Sequence, residues 1–270
     1  MKFQEKLEKA IEKNDSLLCV GLDPDIQNLS GEKSQFEFNK KIIDQTATFA
    51  CCFKPQIAFY AAAGLKGVED LTRTITYIHN NYPLIPVLLD AKRGDVGHTS
   101  EMYAKEAFDF FNADAVTVNP YLGFDSVEPF LNRKDRGVFV LCKTSNPGAS
   151  DFQGLVIERE PLYIKVAKKS LTWNKKYGNV LLVVGATSPN ELMEIRKVVP
   201  NMTFLVPGIG AQGGDLKTTL SNGLIKSHSS FSRKRESSKG LIISASRSII
   251  YNSSPRAAAQ KLRDEINKYR

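Results

Sequence analysis

Short apolar runs recur along the chain roughly every 32 residues, each closed by small or polar residues. They are Leu17–Leu22, Cys51–Lys54, Ile85–Leu89, Ala115–Val118, Val138–Cys142, Val180–Val184, Thr203–Val206 and Leu241–Ile243. They are rich in β-branched residues and continuous rather than alternating, the pattern of strands covered on both faces. Helical patterns lie between them. Ser188-Pro189-Asn190-Glu191 sets a serine at an N-cap, a proline at the first helical position and a glutamate three residues on. Asp125 with Glu128 repeats that signal, and Ser254-Pro255 opens a last helix with an apolar stripe of Ala258, Leu262, Ile266 and Tyr269.

Eight alternations of strand and helix predict an α/β fold, a (β/α)₈ TIM barrel, and 270 residues fill one such domain. A doubly wound sheet is the alternative arrangement of the same elements. No repeat or linker divides the chain, so residues 1–270 read as a single barrel domain. Residues 227–238 break the pattern. They are serine-rich, basic and poor in apolar side chains, and they read as a disordered surface insertion before the eighth strand.

The net charge of +8 suggests nucleic acid until it is located. Residues 226–239 hold five cations and one acid and supply half of it. One short basic run with Phe231 as its only aromatic argues against a nucleic-acid partner. No run of 18 apolar residues spans a membrane, and the charged amphipathic start, Met1–Asp15, has no secretory h-region. Cys19, Cys51, Cys52 and Cys142 lie in apolar runs without metal-ligand spacing, as free thiols in a cytoplasmic protein would.

The working groups of such a barrel lie at the C-terminal ends of its strands. The third strand ends Leu88-Leu89-Asp90-Ala91-Lys92-Arg93-Gly94-Asp95. A period of two puts Leu88, Asp90 and Lys92 on one face. The same alternation groups Cys19, Gly21 and Asp23 after the first strand, and Cys52 with Lys54 in the second. If those faces are luminal, Asp23, Lys54, Asp90 and Lys92 converge, with alternating signs that hold all four ionised. The seventh strand runs into Gly208-Ile209-Gly210-Ala211-Gln212-Gly213-Gly214-Asp215, whose open backbone N–H groups suit an anion. The eighth ends Ser244-Ala245-Ser246-Arg247, and an arginine there can hold phosphate oxygens in bidentate fashion.

The Asp90–Asp95 block with Thr99 four residues on, Lys143-Thr144-Ser145-Asn146-Pro147-Gly148-Ala149, Val184-Gly185-Ala186-Thr187, Pro207–Asp215 and Ser244–Arg247 occur in order. Together they resemble the orotidine 5′-phosphate decarboxylase family, in its bacterial subgroup with the DAKRGD block. The resemblance implies a barrel working as a homodimer with shared sites. It also implies conversion of orotidine 5′-phosphate to UMP and CO₂ in de novo pyrimidine biosynthesis, with neither metal nor organic cofactor. It casts Lys92 as proton donor, Asp90 as the carboxylate facing the substrate carboxylate, and Lys54 as the second lysine. Asp95 and Thr99 would reach the neighbouring subunit's site. Asp23 would hold ribose, Ser145 the pyrimidine edge, and Gln212 and Arg247 the phosphate. Ser246 stands where many relatives have glycine, and the basic insertion belongs to no family pattern.

A competing reading is a phosphate-binding barrel enzyme that acts on a sugar phosphate through Mg²⁺. It needs further carboxylates at strand ends, whereas the second strand ends in Lys54 and the fourth in Asn119.

Overall fold

Residues 1–209, 214–225 and 240–270 are described by the computed structural model. The basic insertion, residues 227–238, and Gln212 lie outside them.

All eight expected strands form. They are β1 (Leu18–Leu22), β2 (Cys52–Pro55), β3 (Leu88–Arg93), β4 (Ala115–Val118), β5 (Gly137–Lys143), β6 (Val180–Val184), β7 (Phe204–Pro207) and β8 (Leu241–Ala245). They pair in parallel in the order β2-β1-β8-β7-β6-β5-β4-β3. Parallel bridges Phe53–Val87 and Gln56–Asp90 join the two outer strands and close the ring. This is the TIM barrel, not the open doubly wound sheet. A helix precedes the barrel, α1 (Phe3–Asn14), and one follows each strand: α2 (Gln35–Thr46), α3 (Gly64–Asn81), α4 (Gly97–Lys105), α5 (Phe124–Leu131), α6 (Leu162–Tyr177), α7 (Pro189–Val198), α8 (Leu216–Gly223) and α9 (Pro255–Asn267). A two-residue β-ladder, Val156–Ile157 against Glu160–Pro161, stands in the β5–α6 connection.

The strands separate two cores. Outward side chains such as Val20, Leu89, Val116, Val140 and Leu182 pack against the helices. Inward ones, among them Cys19, Cys52, Leu88, Ala115, Phe139, Leu181, Leu205 and Ile242, fill the lumen. The amphipathic start of the chain forms the floor. Phe3, Leu7 and Ala10 are buried along one face of α1, and Phe3 meets Phe139 edge-on at 5.7 Å between ring centroids. A side chain at Gly137 would lie 2.5 Å from the Phe3 ring, so glycine lets the helix approach. Burial of a phenylalanine or leucine contributes about 1.5–3 kcal/mol. Lys6 also donates to both oxygens of Asp114 at 2.9 Å, and Asp114 accepts from Val87 N at 2.8 Å and faces His79 Nε2 at 2.9 Å. Burial works against the Asp114 charge, yet His79 and Lys6 hold its carboxyl below the usual range.

Three helix details differ from the sequence expectation. Ser188 and Pro189 do open α7, but Ser188 makes no side-chain cap. Only its backbone carbonyl serves the helix, accepting Leu192 N at 3.0 Å. Asp125 is not an N-cap. Gly123, at φ 96°, turns the chain two residues earlier, and Asp125 falls in the first turn of α5, where its charge suits the helix dipole. Tyr269 is 45% exposed, because α9 stops at Asn267. Ala259 and Ile266 are buried, and Ala258 and Leu262 pack at the rim of the core. Ser254 caps this helix as expected, accepting from Ala257 N. All four cysteines are free and buried.

Candidate active site

The C-terminal ends of the strands surround a cavity of about 570 Å³. Asp23, Lys54, Asp90, Lys92, Thr117, Ser145, Ser244 and Arg247 lie on its wall. Six of the nine residues singled out in the sequence therefore share one cavity. Two of the others stand apart from it. Asp95 is half-buried, and one of its oxygens accepts Val96 N at 2.7 Å. Thr99 is exposed in the first turn of α4. The ninth, Gln212, lies outside the described residues.

The charged residues form a chain. Lys54 Nζ lies 3.1 Å from Asp90 Oδ2 and 3.9 Å from an oxygen of Asp23. Lys92 Nζ lies 2.6 Å from the other oxygen of Asp90. Exposure separates the two lysines: the Lys54 side chain is 8% exposed, that of Lys92 44%. Lys54 is held at the back of the site, while Lys92 reaches into the cavity. Burial opposes the charge on Lys54, but Asp23 and Asp90 outweigh it and hold the ammonium above the ordinary lysine range. Burial likewise opposes the charge on Asp90, and Lys54 and Lys92 hold its carboxyl well below the usual carboxylate range. The charges on Lys54 and Asp90 persist at neutral pH because each is paired.

The backbone that carries Lys92 is irregular. Lys92 has φ 48°, in the left-handed region, and the pairing of β3 with β4 shifts register between Leu89 and Arg93. Where the ladder lapses, the hydroxyl of Thr117 accepts Ala91 N at 3.0 Å and Lys92 N at 2.8 Å, and donates to Asp90 Oδ1 at 2.9 Å. Arg93 turns away from the cavity into a two-bond pairing with Glu106, at 2.8 and 2.9 Å.

On the opposite wall, Thr144, Ser145 and Asn146 follow β5. Gln153 fixes this turn by accepting Thr144 N and donating to its hydroxyl, each at 2.8 Å. A side chain at Gly185 would sit 2.8 Å from the Ser145 backbone, so the loop after β6 needs glycine to support that turn. Arg247 opens a short helix after β8, with Ser246 before it. Ser246 packs where β1 passes closest, and only glycine at position 21 leaves it room.

The chain matches the family described as Orotidine 5′-phosphate decarboxylase / HUMPS over residues 16–262. It belongs to that family. Proteins named orotidine 5′-phosphate decarboxylase from Ralstonia nicotianae and Cupriavidus necator are 46% and 47% identical over 283 aligned positions, covering 100% of this chain and 100% and 99% of theirs. The solved structure of Leishmania donovani OMP decarboxylase is 41% identical, with a TM-score of 0.88 over 100% of this chain and 99% of that one.

Within this decarboxylase-family barrel, sequence reasoning missed Thr117 and Gln153. Thr117 is the single polar residue in the run Ala115–Val118 and shares the luminal face with Ala115, a signal that alternation could have picked out. Gln153 carries no local signal, because its partner Thr144 lies nine residues away across a loop without periodicity.

Proposed function

We propose that the chain is a carboxy-lyase that converts orotidine 5′-phosphate to UMP and CO₂ in de novo pyrimidine biosynthesis. One observation carries this reading: Lys54 and Lys92 bind opposite oxygens of Asp90 in a cavity whose wall also bears Arg247. The substrate phosphate sits at Arg247 and the glycine-rich segment after β7 that includes Gln212. Asp23 takes ribose hydroxyls, and Ser145 meets the pyrimidine edge. That leaves the C6 carboxylate beside Asp90 and Lys92.

The chemistry follows from charge placement. The bond between C6 and the carboxylate breaks, and its electron pair stays on C6 in an sp² orbital that the ring carbonyls do not drain. The Lys92 ammonium faces that developing charge and transfers a proton to C6. It is reprotonated from water after release. A cation about 4 Å from the carbanion contributes on the order of 4 kcal/mol at an effective dielectric near 20, and charge fixed in advance avoids reorganisation during the reaction. Asp90 disfavours the substrate carboxylate more than the transition state, in which charge has moved to C6. Lys54 keeps Asp90 ionised and in place. The scheme calls for neither metal nor organic cofactor, since the lysines supply the cations.

We infer further that the chain, a single barrel domain acting in the cytoplasm, works as a homodimer in which Asp95 and Thr99 serve the neighbouring subunit's site. Their position outside their own cavity supports this, as do the exposed Val96, Tyr121 and Leu122 beyond the adjacent ends of β3 and β4.

The test supplies orotidine 5′-phosphate in buffer containing EDTA and follows the ultraviolet absorbance change. Conversion to UMP is expected. No conversion would overturn the reading, and conversion only after added Mg²⁺ would favour the sugar-phosphate type of chemistry.

A further inference from the structure

Thr117 is 1% exposed and sits below the lysine that reaches the cavity. A hydroxyl has one proton to give and two lone pairs to receive with. In Thr117 all three are committed: Ala91 N and Lys92 N donate to it, and it donates to Asp90 Oδ1. The direction of the hydroxyl proton is thereby fixed. Both lone pairs face backbone N–H groups, so the O–H bond points at the same carboxylate oxygen that holds Lys92 Nζ at 2.6 Å.

The backbone gives this arrangement its purpose. In a regular parallel strand successive N–H groups point to opposite neighbours, so one of Ala91 N and Lys92 N would reach a carbonyl of β4 and the other a carbonyl of β2. The β3–β4 register shift between Leu89 and Arg93 breaks that alternation, and both N–H groups turn to Thr117 instead. Lys92 there takes φ 48°, a conformation that a non-glycine residue keeps only where its surroundings impose it. The hydroxyl replaces the missing carbonyls and pins the strained peptide. We infer that Thr117 is a positioning residue for decarboxylation: its hydroxyl holds the Lys92 backbone in the left-handed turn and orients the Asp90 carboxylate, so that the ammonium stands at C6 when the bond breaks. This rests on Lys92 as proton donor, as proposed above. Thr117 itself touches neither reacting atom.

The test compares Thr117→Ser and Thr117→Val with the native protein. Serine keeps the hydroxyl; valine keeps the shape and removes it. A misplacement of about 1 Å at a reacting group costs on the order of 100-fold in rate. Thr117→Val is expected to lower kcat by about that factor while KM stays within about twofold, because the ribose and phosphate contacts lie elsewhere. Thr117→Ser is expected to keep kcat within about threefold. A second readout is exchange of the C6 hydrogen of UMP for deuterium, the reverse of the Lys92 step, which should slow in Thr117→Val in proportion to kcat. Should the valine variant fail to fold, Thr117→Ala with the same two readouts takes its place. Valine kcat within threefold of native, serine falling as far as valine, or a rise in KM that accounts for the whole loss would each overturn the inference. Because the native enzyme is assayed alongside, absence of decarboxylation by the native chain would fall on the proposed function instead.

Discussion

Lys92 binds Asp90 from two positions along the same strand, at 2.6 Å, although the backbone between them leaves the β conformation. A straight strand would project both side chains in parallel and hold their charged ends apart. The left-handed turn at Lys92 folds the ammonium back over the carboxylate while leaving it 44% exposed to the cavity. The pair is thus both neutralised and available to a substrate.

Replacing Lys92 by alanine should remove turnover by about 10⁴-fold or more, since the ammonium is both electrostatic stabiliser and acid. The fold should survive, because the Lys92 side chain is partly exposed and Asp90 keeps Lys54 as its partner. Steady-state rates beside thermal melting check both halves. Turnover near native levels would take Lys92 out of the mechanism.

Arg247→Ala should lower kcat/KM on orotidine 5′-phosphate much more than on the nucleoside lacking the phosphate, where the missing contact has no partner to lose. The ratio of the two losses is the measurement. Equal losses would contradict a phosphate role for Arg247.

Lys54→Met should destabilise the protein by about 3 kcal/mol at neutral pH, because it strands Asp90 and Asp23 without their buried cation. The pH dependence has a definite sign. In the native chain the depressed Asp90 carboxyl contributes stability that is present above the unfolded value near 3.9 and fades as pH falls through the lower folded value. In the variant the folded value moves up, so the deficit relative to native is largest at neutral pH and narrows on acidification. Denaturant unfolding from pH 7 down to pH 4 tests this. A deficit that stays flat or widens would show that Lys54 does not govern the Asp90 charge.

A shared site would appear in a mixture of two inactive variants. In a dimer of Lys92→Ala and Asp95→Ala chains, one site carries both lesions and the other carries neither. Random reassortment makes about half the dimers mixed, so refolding the variants together should recover about a quarter of native activity. Activity no higher than that of each variant refolded alone, with mixed dimers verified, would make Asp95 an intrachain residue.

The sequence was informative wherever chemistry sat at the end of a regular strand. Asp23 and Lys54 follow from the alternation that puts Cys19 and Cys52 in the lumen, and both reach the cavity. Lys92 reaches it too, but by a register shift and a positive φ rather than by the pleat, which residue periodicity does not encode. Helix starts were less legible. The turn at Gly123 outweighs the Asp125–Glu128 spacing, because it lets Phe124 begin the helix and pack 5.9 Å from the Trp173 ring. The floor was not legible either. The 3–4 spacing of Phe3, Leu7 and Ala10 marks an apolar face without indicating which distant surface receives it.

That floor has a bearing on biosynthesis. On the ribosome α1 emerges well before β5, yet its berth includes the Asp135 carbonyl, which accepts Phe3 N, and the Phe139 ring. A nascent chain that ends before β5 has nowhere to seat Phe3. Although made before the strands, α1 is therefore among the later elements to dock, and until then its apolar face is open to solvent or to chaperones.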